Sequence, residues 1–226
     1  SMFYKLGDDN PFTGIITQEN PEADYLFLGR TKDGKKDGQW VKWFPSGKDV
    51  PEIILVDVPK PEPTVPWSGG KQEQGGFKGG EKHGEWTEWY DNEHIKSHGT
   101  YNEGIMDGPW TFYHQNGVKE KEGSLISGNA DGLWIFWNDE ANKVQEGTFS
   151  NGIKEGQWTA WFEDGRLTEG YYAGGKKDAT WTSWWDFDRA RKEMQGAYKK
   201  GKMVDKWFFY DKSGNLKEIR YFSPDF

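Results

Sequence analysis

The chain has 226 residues, a formal net charge of −8 and no cysteine. These exclude a disulfide framework or a thiolate zinc site, leave the redox compartment open, and make nucleic acid a poor partner. Only 34% of residues are hydrophobic, usually a mark of disorder, but 17% are aromatic and the 30 glycines recur at fixed places, so the chain reads as folded. No apolar run is long enough to span a bilayer as a helix.

In chain order, Ser1 before Met2 reads as an expression remnant, so the chain is cytoplasmic or, if a leader was removed, periplasmic or extracellular. Met2–Leu6 reads as a short cap strand. Residues 1–28 form a cap and a degenerate first repeat, whose anchor is Ile16. From there one unit recurs: Gly-x-aromatic, a turn with Gly, Gly-x-Trp-x-x-Trp/Tyr, and a second turn. Its third residue falls at Thr31, Ile54, Phe77, Tyr101, Leu125, Phe149, Tyr172, Tyr198 and Tyr221, in steps of 23 to 26. Such a period marks a repeat array.

The array runs over residues 29–222, followed by a tail at 223–226. One stretch is ambiguous, because the step from Trp40 to Trp86 is twice the usual. It is read as two repeats, the first a degenerate Pro-rich unit at 52–74, with an inserted loop as the alternative. Pro59, Pro61, Pro63 and Pro66 cannot donate to a ladder, so that unit bulges outward or runs as polyproline II.

Within a unit, Asn151-Gly152 and Asp164-Gly165 reach positive φ cheaply, and each closes a reversal between antiparallel strands. Thr, Trp, Tyr and Phe fill the strands between them. The expected fold is all-β: an elongated, single-layer antiparallel sheet of stacked hairpins with 23–24 residues per repeat. Side chains alternate along a strand, so Trp158 and Trp161 point to opposite faces. Stacking makes two columns. Trp40, Trp86, Trp110, Trp134, Trp158, Trp181 and Trp207 form the first, and Trp43, Trp89, Tyr113, Trp137, Trp161, Trp184 and Tyr210 the second.

Gly-x-Trp-x-x-Trp/Tyr alternating with Gly-x-Tyr-x-x-Gly-Lys resembles the MORN repeat variant, most closely the bacterial YwqK-type antitoxin-like proteins. Pro11-Phe12-Thr13-Gly14 is similar to their opening, and the likeness covers residues 11–222. The resemblance implies a hairpin array that binds other molecules. The antitoxin role comes with the name alone, and the phospholipid binding ascribed to such arrays fits poorly with this acidity.

The first column reads as structural, each ring covering the next. The second, with Trp185 beside it, reads as the partner-binding face, since exposed aromatic stripes mark interaction sites. Asp37, Asp107, Asp131, Glu155 and Asp178 recur three residues before the Trp anchor. They are either turn chemistry or an acidic rail for a basic partner. His94 and His98 lack the helical scaffold that would make their spacing a metal site. With no Gly-x-Ser-x-Gly elbow, no phosphate-cradling loop and no histidine after His114, neither a catalytic residue, a metal nor a cofactor is expected. The reading is a non-catalytic, monomeric scaffold for a protein partner; the alternative is a carbohydrate or envelope polymer stacked on exposed Trp rings.

Overall fold

The computed structural model describes residues 14–20, 25–43 and 70–223, with side chains from Gly29 onward. It is all-β, and the chain divides into two units, Ser1–Gly117 and Val118–Phe226. The first unit holds β1 (Gly14–Asn20), β2 (Tyr25–Lys32), β3 (Lys35–Trp43), β4 (Lys71–Lys78), β5 (Glu81–Trp89), β6 (Ile95–Asn102) and β7 (Ile105–Tyr113). The second holds β8 (Lys119–Ile126), β9 (Asn129–Trp137), β10 (Lys143–Ser150), β11 (Ile153–Trp161), β12 (Leu167–Ala173), β13 (Lys176–Trp184), β14 (Lys192–Lys199), β15 (Lys202–Tyr210) and β16 (Leu216–Phe222). Within each unit every strand pairs antiparallel with the next in sequence.

The Pro-rich unit falls mostly outside the described residues, and so does the Met2–Leu6 cap strand. The sheet nevertheless pairs β3 directly with β4, with Trp40 opposite Gly75. This one pairing of described strands spans the doubled step from Trp40 to Trp86.

The two reversals of each unit differ in construction. At the tip between β10 and β11, Asn151 and Gly152 both have positive φ, 49° and 78°, the signature of a two-residue type I′ turn. At the other end, only Gly165 (86°) is left-handed. There Phe162 N–H donates to Arg166 O and Gly165 N–H to Phe162 O, while the Asp164 carboxylate accepts from the Arg166 amide. Neighbouring tips are joined as well: Gly80, Gly104, Gly152, Gly175 and Gly201 N–H donate to the carbonyls of Lys36, Lys82, Ala130, Lys154 and Lys177 in the preceding hairpin.

A bulge lies just before each Trp anchor. Gly147 faces Trp158 but Thr148 faces Glu155, so Gly156 and Gln157 are extra on β11, and Gly156 is left-handed at 70°. Gly38, Gly84, Gly108 and Gly132 repeat that conformation, and Ala179 (55°) and Asp205 (57°) hold it without being glycine.

The core of each unit is a ladder of rings on one face of its sheet. The seven anchor tryptophans are 1–5% exposed. Each indole lies on the glycine of the preceding strand: a Cβ at Gly29, Gly75, Gly99, Gly123, Gly147, Gly170 or Gly196 would fall 2.1–2.4 Å from ring atoms of its Trp. The first glycine of each unit is therefore a seat for a ring. Each indole Nε1–H then donates to the carbonyl of the residue after that glycine, as Trp158 does to Thr148 at 3.0 Å and Trp207 to Ala197 at 3.1 Å. The aromatic third residue stands edge-on between successive indoles. Tyr172 meets Trp158 at 6.0 Å and Trp181 at 5.2 Å, and Tyr198 meets Trp181 at 6.0 Å and Trp207 at 5.0 Å. By area, each buried Trp contributes about 2–3 kcal/mol.

Candidate functional site

The residue four before the anchor finishes the ladder. Lys82, Lys154 and Lys177 lay their ammonium groups 3.9–4.0 Å above the indoles of Trp86, Trp158 and Trp181, and Lys36 sits 4.5 Å above Trp40. Burial is the main cause holding Lys36, Lys154 and Lys177 below the usual lysine range, and burial likewise raises the Tyr101, Tyr172 and Tyr198 phenols. Met106 and Met203 take the same position in other repeats, so the role is cover, which a thioether and a lysine stem both supply. Among the described residues this face closes over itself without a second layer.

The opposite face is built from the second column. Trp161 lies opposite Leu167, which has no exposed surface, but the ring itself is only half-buried. Trp89, Tyr113, Trp137, Trp184, Trp185 and Tyr210 are half-buried too. Trp43 departs from this, being 7% exposed and so part of the core. Trp185 stands outside the column, at the loop edge, where its Nε1–H reaches Tyr210 O at 3.3 Å. Tyr90 makes the corresponding link in the first unit, its hydroxyl donating to Tyr113 O at 2.8 Å. The Trp184 Nε1 is enclosed and meets no acceptor.

Lysines tile this face as well. Lys71, Lys119, Lys143 and Lys192 stand 5.4–5.9 Å from the ring centres of Trp89, Trp137, Trp161 and Trp184. Each is held by a residue three further on: Lys119 by Glu122 and Lys143 by Glu146 at 2.7 Å, Lys71 by Gln74 at 3.1 Å, Lys192 by Gln195 at 2.9 Å. Beside the rings in the second unit runs a row of facing residues, Glu122, Ile135, Glu146, Thr159, Glu169, Thr182 and Gln195. The corresponding row of the first unit is Val41, Gln74, Thr87, His98 and Thr111, without an acid.

The acids before the anchors lie on the strands just after the hairpin tips. The Asp131 carboxylate accepts from the Asn151 amide at 3.1 Å, and Glu155 from the Gly174 amide at 2.8 Å, each binding the tip of the next hairpin. Asp178 accepts from the adjacent Ala179 amide and lies 3.6 Å from Lys199. Asp37 and Asp107 hold the matching strand positions and are half-buried. His94 and His98 are engaged separately, with Gln115 O and with the Thr87 hydroxyl.

Both lysine sets escaped the sequence reading, although Lys-x-x-Glu at 119–122 and 143–146, and a Lys or Met four before each of several anchors, carried the signal. No curated protein matches the chain. The profile of the MORN repeat variant family matches residues 82–103 and 106–125, so two consecutive units of this chain are similar to MORN repeats of the variant type, a non-enzymatic repeat family that generally mediates protein or membrane interactions.

Proposed function

We propose that the chain is a non-catalytic scaffold that binds a partner protein along the second-column face. The observation that carries this reading is the asymmetry of the two columns. One is sealed by its own ladder, while in the second unit Trp137, Trp161 and Trp184 leave ring surface half-open beside paired lysines and acids, and Trp89 does so in the first. Rigid aromatic rings framed by polar groups are the usual anchors of protein interfaces. Asp131 and Glu155 serve the tips of their neighbours, so they contribute to rigidity and the Glu122, Glu146 and Glu169 row supplies the polar frame. An antitoxin-like role is one form this binding takes. Carbohydrate stacking is the weaker reading, because Lys71, Lys119, Lys143 and Lys192 already lie over the rings a sugar would need.

Photo-crosslinking in lysate of the source organism tests the proposal, with the probe at Trp161 in one sample and at Ser150, on a hairpin tip, in another. A discrete crosslinked protein from position 161 and none from 150 is the expected result. Equal yields from both, or a glycan-panel titration that shifts Trp fluorescence where no protein crosslinks, would overturn it.

A further inference from the structure

β16 is the outermost described strand of the second unit, and all its residues but Phe222 are exposed, with Leu216 at 53%, Ile219 at 40% and Tyr221 at 71%. Its inner side pairs with β15. Among the described residues its outer side meets no strand, and the backbone groups of such an edge are a template for another strand.

We propose that this edge is a self-recognition surface, through which two copies of the chain join β16 to β16, antiparallel, about a two-fold axis at Ile219. The residues Leu216-Lys-Glu-Ile-Arg-Tyr-Phe222 complement their own reverse. With Ile219 facing the partner's Ile219, Glu218 faces the partner's Arg220, Lys217 faces the partner's Tyr221, and Leu216 faces the partner's Phe222. Opposite charges, a cation on a ring and two apolar pairs are the cross-strand combinations that stabilise antiparallel ladders. The charged pair is already poised within one copy. Arg220 donates to Glu218 at 2.7 and 2.8 Å and stacks 4.7 Å from the Phe209 ring, so both heads lie on the ladder side of the strand. Joining two copies sets four alternating charges in one cluster.

Other registers are penalised. An axis at Arg220 sets two guanidiniums opposite each other, and an axis at Glu218 sets two carboxylates opposite each other. Charges on an edge usually forbid pairing; here their order selects one pairing. Lys217 bulges against β15, since Glu218 faces Phe209 and Leu216 faces Tyr210, so the regular part of the new ladder centres on Glu218–Arg220. A hollow of about 550 Å3, lined by Asp205, Lys206, Phe208, Tyr221, Phe222 and Ser223, lies at the end of β16 that receives the partner's Leu216 and the partner's Lys217. The sequence leads to a monomer because Pro224 discourages further pairing beyond the last strand, and Pro224 lies outside the described residues.

A single strand pair is a small interface, so the dimer is weak and depends on concentration. The absence of native cysteine makes trapping clean. In the full chain, Ile219→Cys under mild oxidation is expected to form a disulfide dimer on the order of tenfold faster or more than Ser150→Cys, because pairing sets the two thiols at high effective concentration. Lys217→Cys alone is expected to trap no better than the Ser150 control, whereas mixing it with Tyr221→Cys gives the heterodimer. By sedimentation over a concentration series, Arg220→Glu abolishes self-association and the swap Glu218→Arg with Arg220→Glu restores it, circular dichroism verifying the fold. Equal trapping rates for Ile219→Cys and Ser150→Cys, or an Arg220→Glu chain that associates as wild type, would overturn the proposal.

Discussion

The two faces of the second unit carry rings of the same kind three residues apart and treat them oppositely. Trp158 is 1% exposed, seated on Gly147, bonded to Thr148 O, flanked by Phe149 and Tyr172 and covered by Lys154. Trp161 leans on Leu167 and stays half-open beneath a more distant Lys143. The lesson is that burial in a single-layer sheet does not need a second layer. A backbone seat, a bulge that turns the ring onto it and a row of edge-on neighbours suffice, and the face that lacks the glycine seats is left for other contacts.

Breaking the sealed face produces the largest effect. Trp158→Ala is expected to cost about 3–5 kcal/mol, measured by denaturant unfolding, because the cavity opens in the middle of the ladder. Gly147→Ala is next, near 3 kcal/mol, since its Cβ meets the root of the indole and the ring cannot swing clear. Trp161→Ala sharpens the contrast with a loss of about 1 kcal/mol, reflecting the smaller apolar area removed from contact. If Trp161→Ala cost as much as Trp158→Ala, the two faces would not differ as described.

Ala179→Gly runs the other way. Ala179 holds the left-handed bulge conformation that Gly38, Gly84, Gly108, Gly132 and Gly156 adopt elsewhere. Removing its Cβ relieves about 1–2 kcal/mol of backbone strain, less about 0.5–1 kcal/mol for the unfolded-state entropy of glycine, so a net gain of a few tenths to about 1 kcal/mol is expected. A loss would show that the methyl group packs usefully in that repeat.

The smallest effect is a pH dependence confined to the sealed face. Because burial lowers Lys36, Lys154 and Lys177 in the folded chain, the unfolded chain holds more protons between those lowered values and about 10.4. Stability therefore rises with pH through that window. Above about 10 the raised Tyr101, Tyr172 and Tyr198 work in the opposite direction, since the unfolded chain loses its phenolic protons first. The double variant Lys154→Met and Lys177→Met, which copies Met106 and Met203, should flatten the rise while keeping the fold.

Most of the fold could be read from residues alone, because the signals are local. Positive-φ dipeptides such as Asn151-Gly152 announce turns, and the recurrence of Trp at fixed steps announces stacking. What stayed hidden was relational. The reason Gly147 is glycine sits on the next strand, in the indole of Trp158. The acids at Asp131 and Glu155 looked like local turn chemistry or a rail, and their partners are amides 20 and 19 residues away. Trp43 shares its column with half-open rings and is buried; nothing in its own spacing distinguished it.

Indole N–H exchange, followed by NMR with the fourteen tryptophans assigned, tests the central claim most directly. The Trp158 and Trp207 indole protons, bonded to backbone carbonyls under the ladder, should exchange only with opening of their repeats, while that of Trp161 exchanges on the timescale of an exposed indole. Comparable exchange at Trp158 and Trp161 would contradict the account.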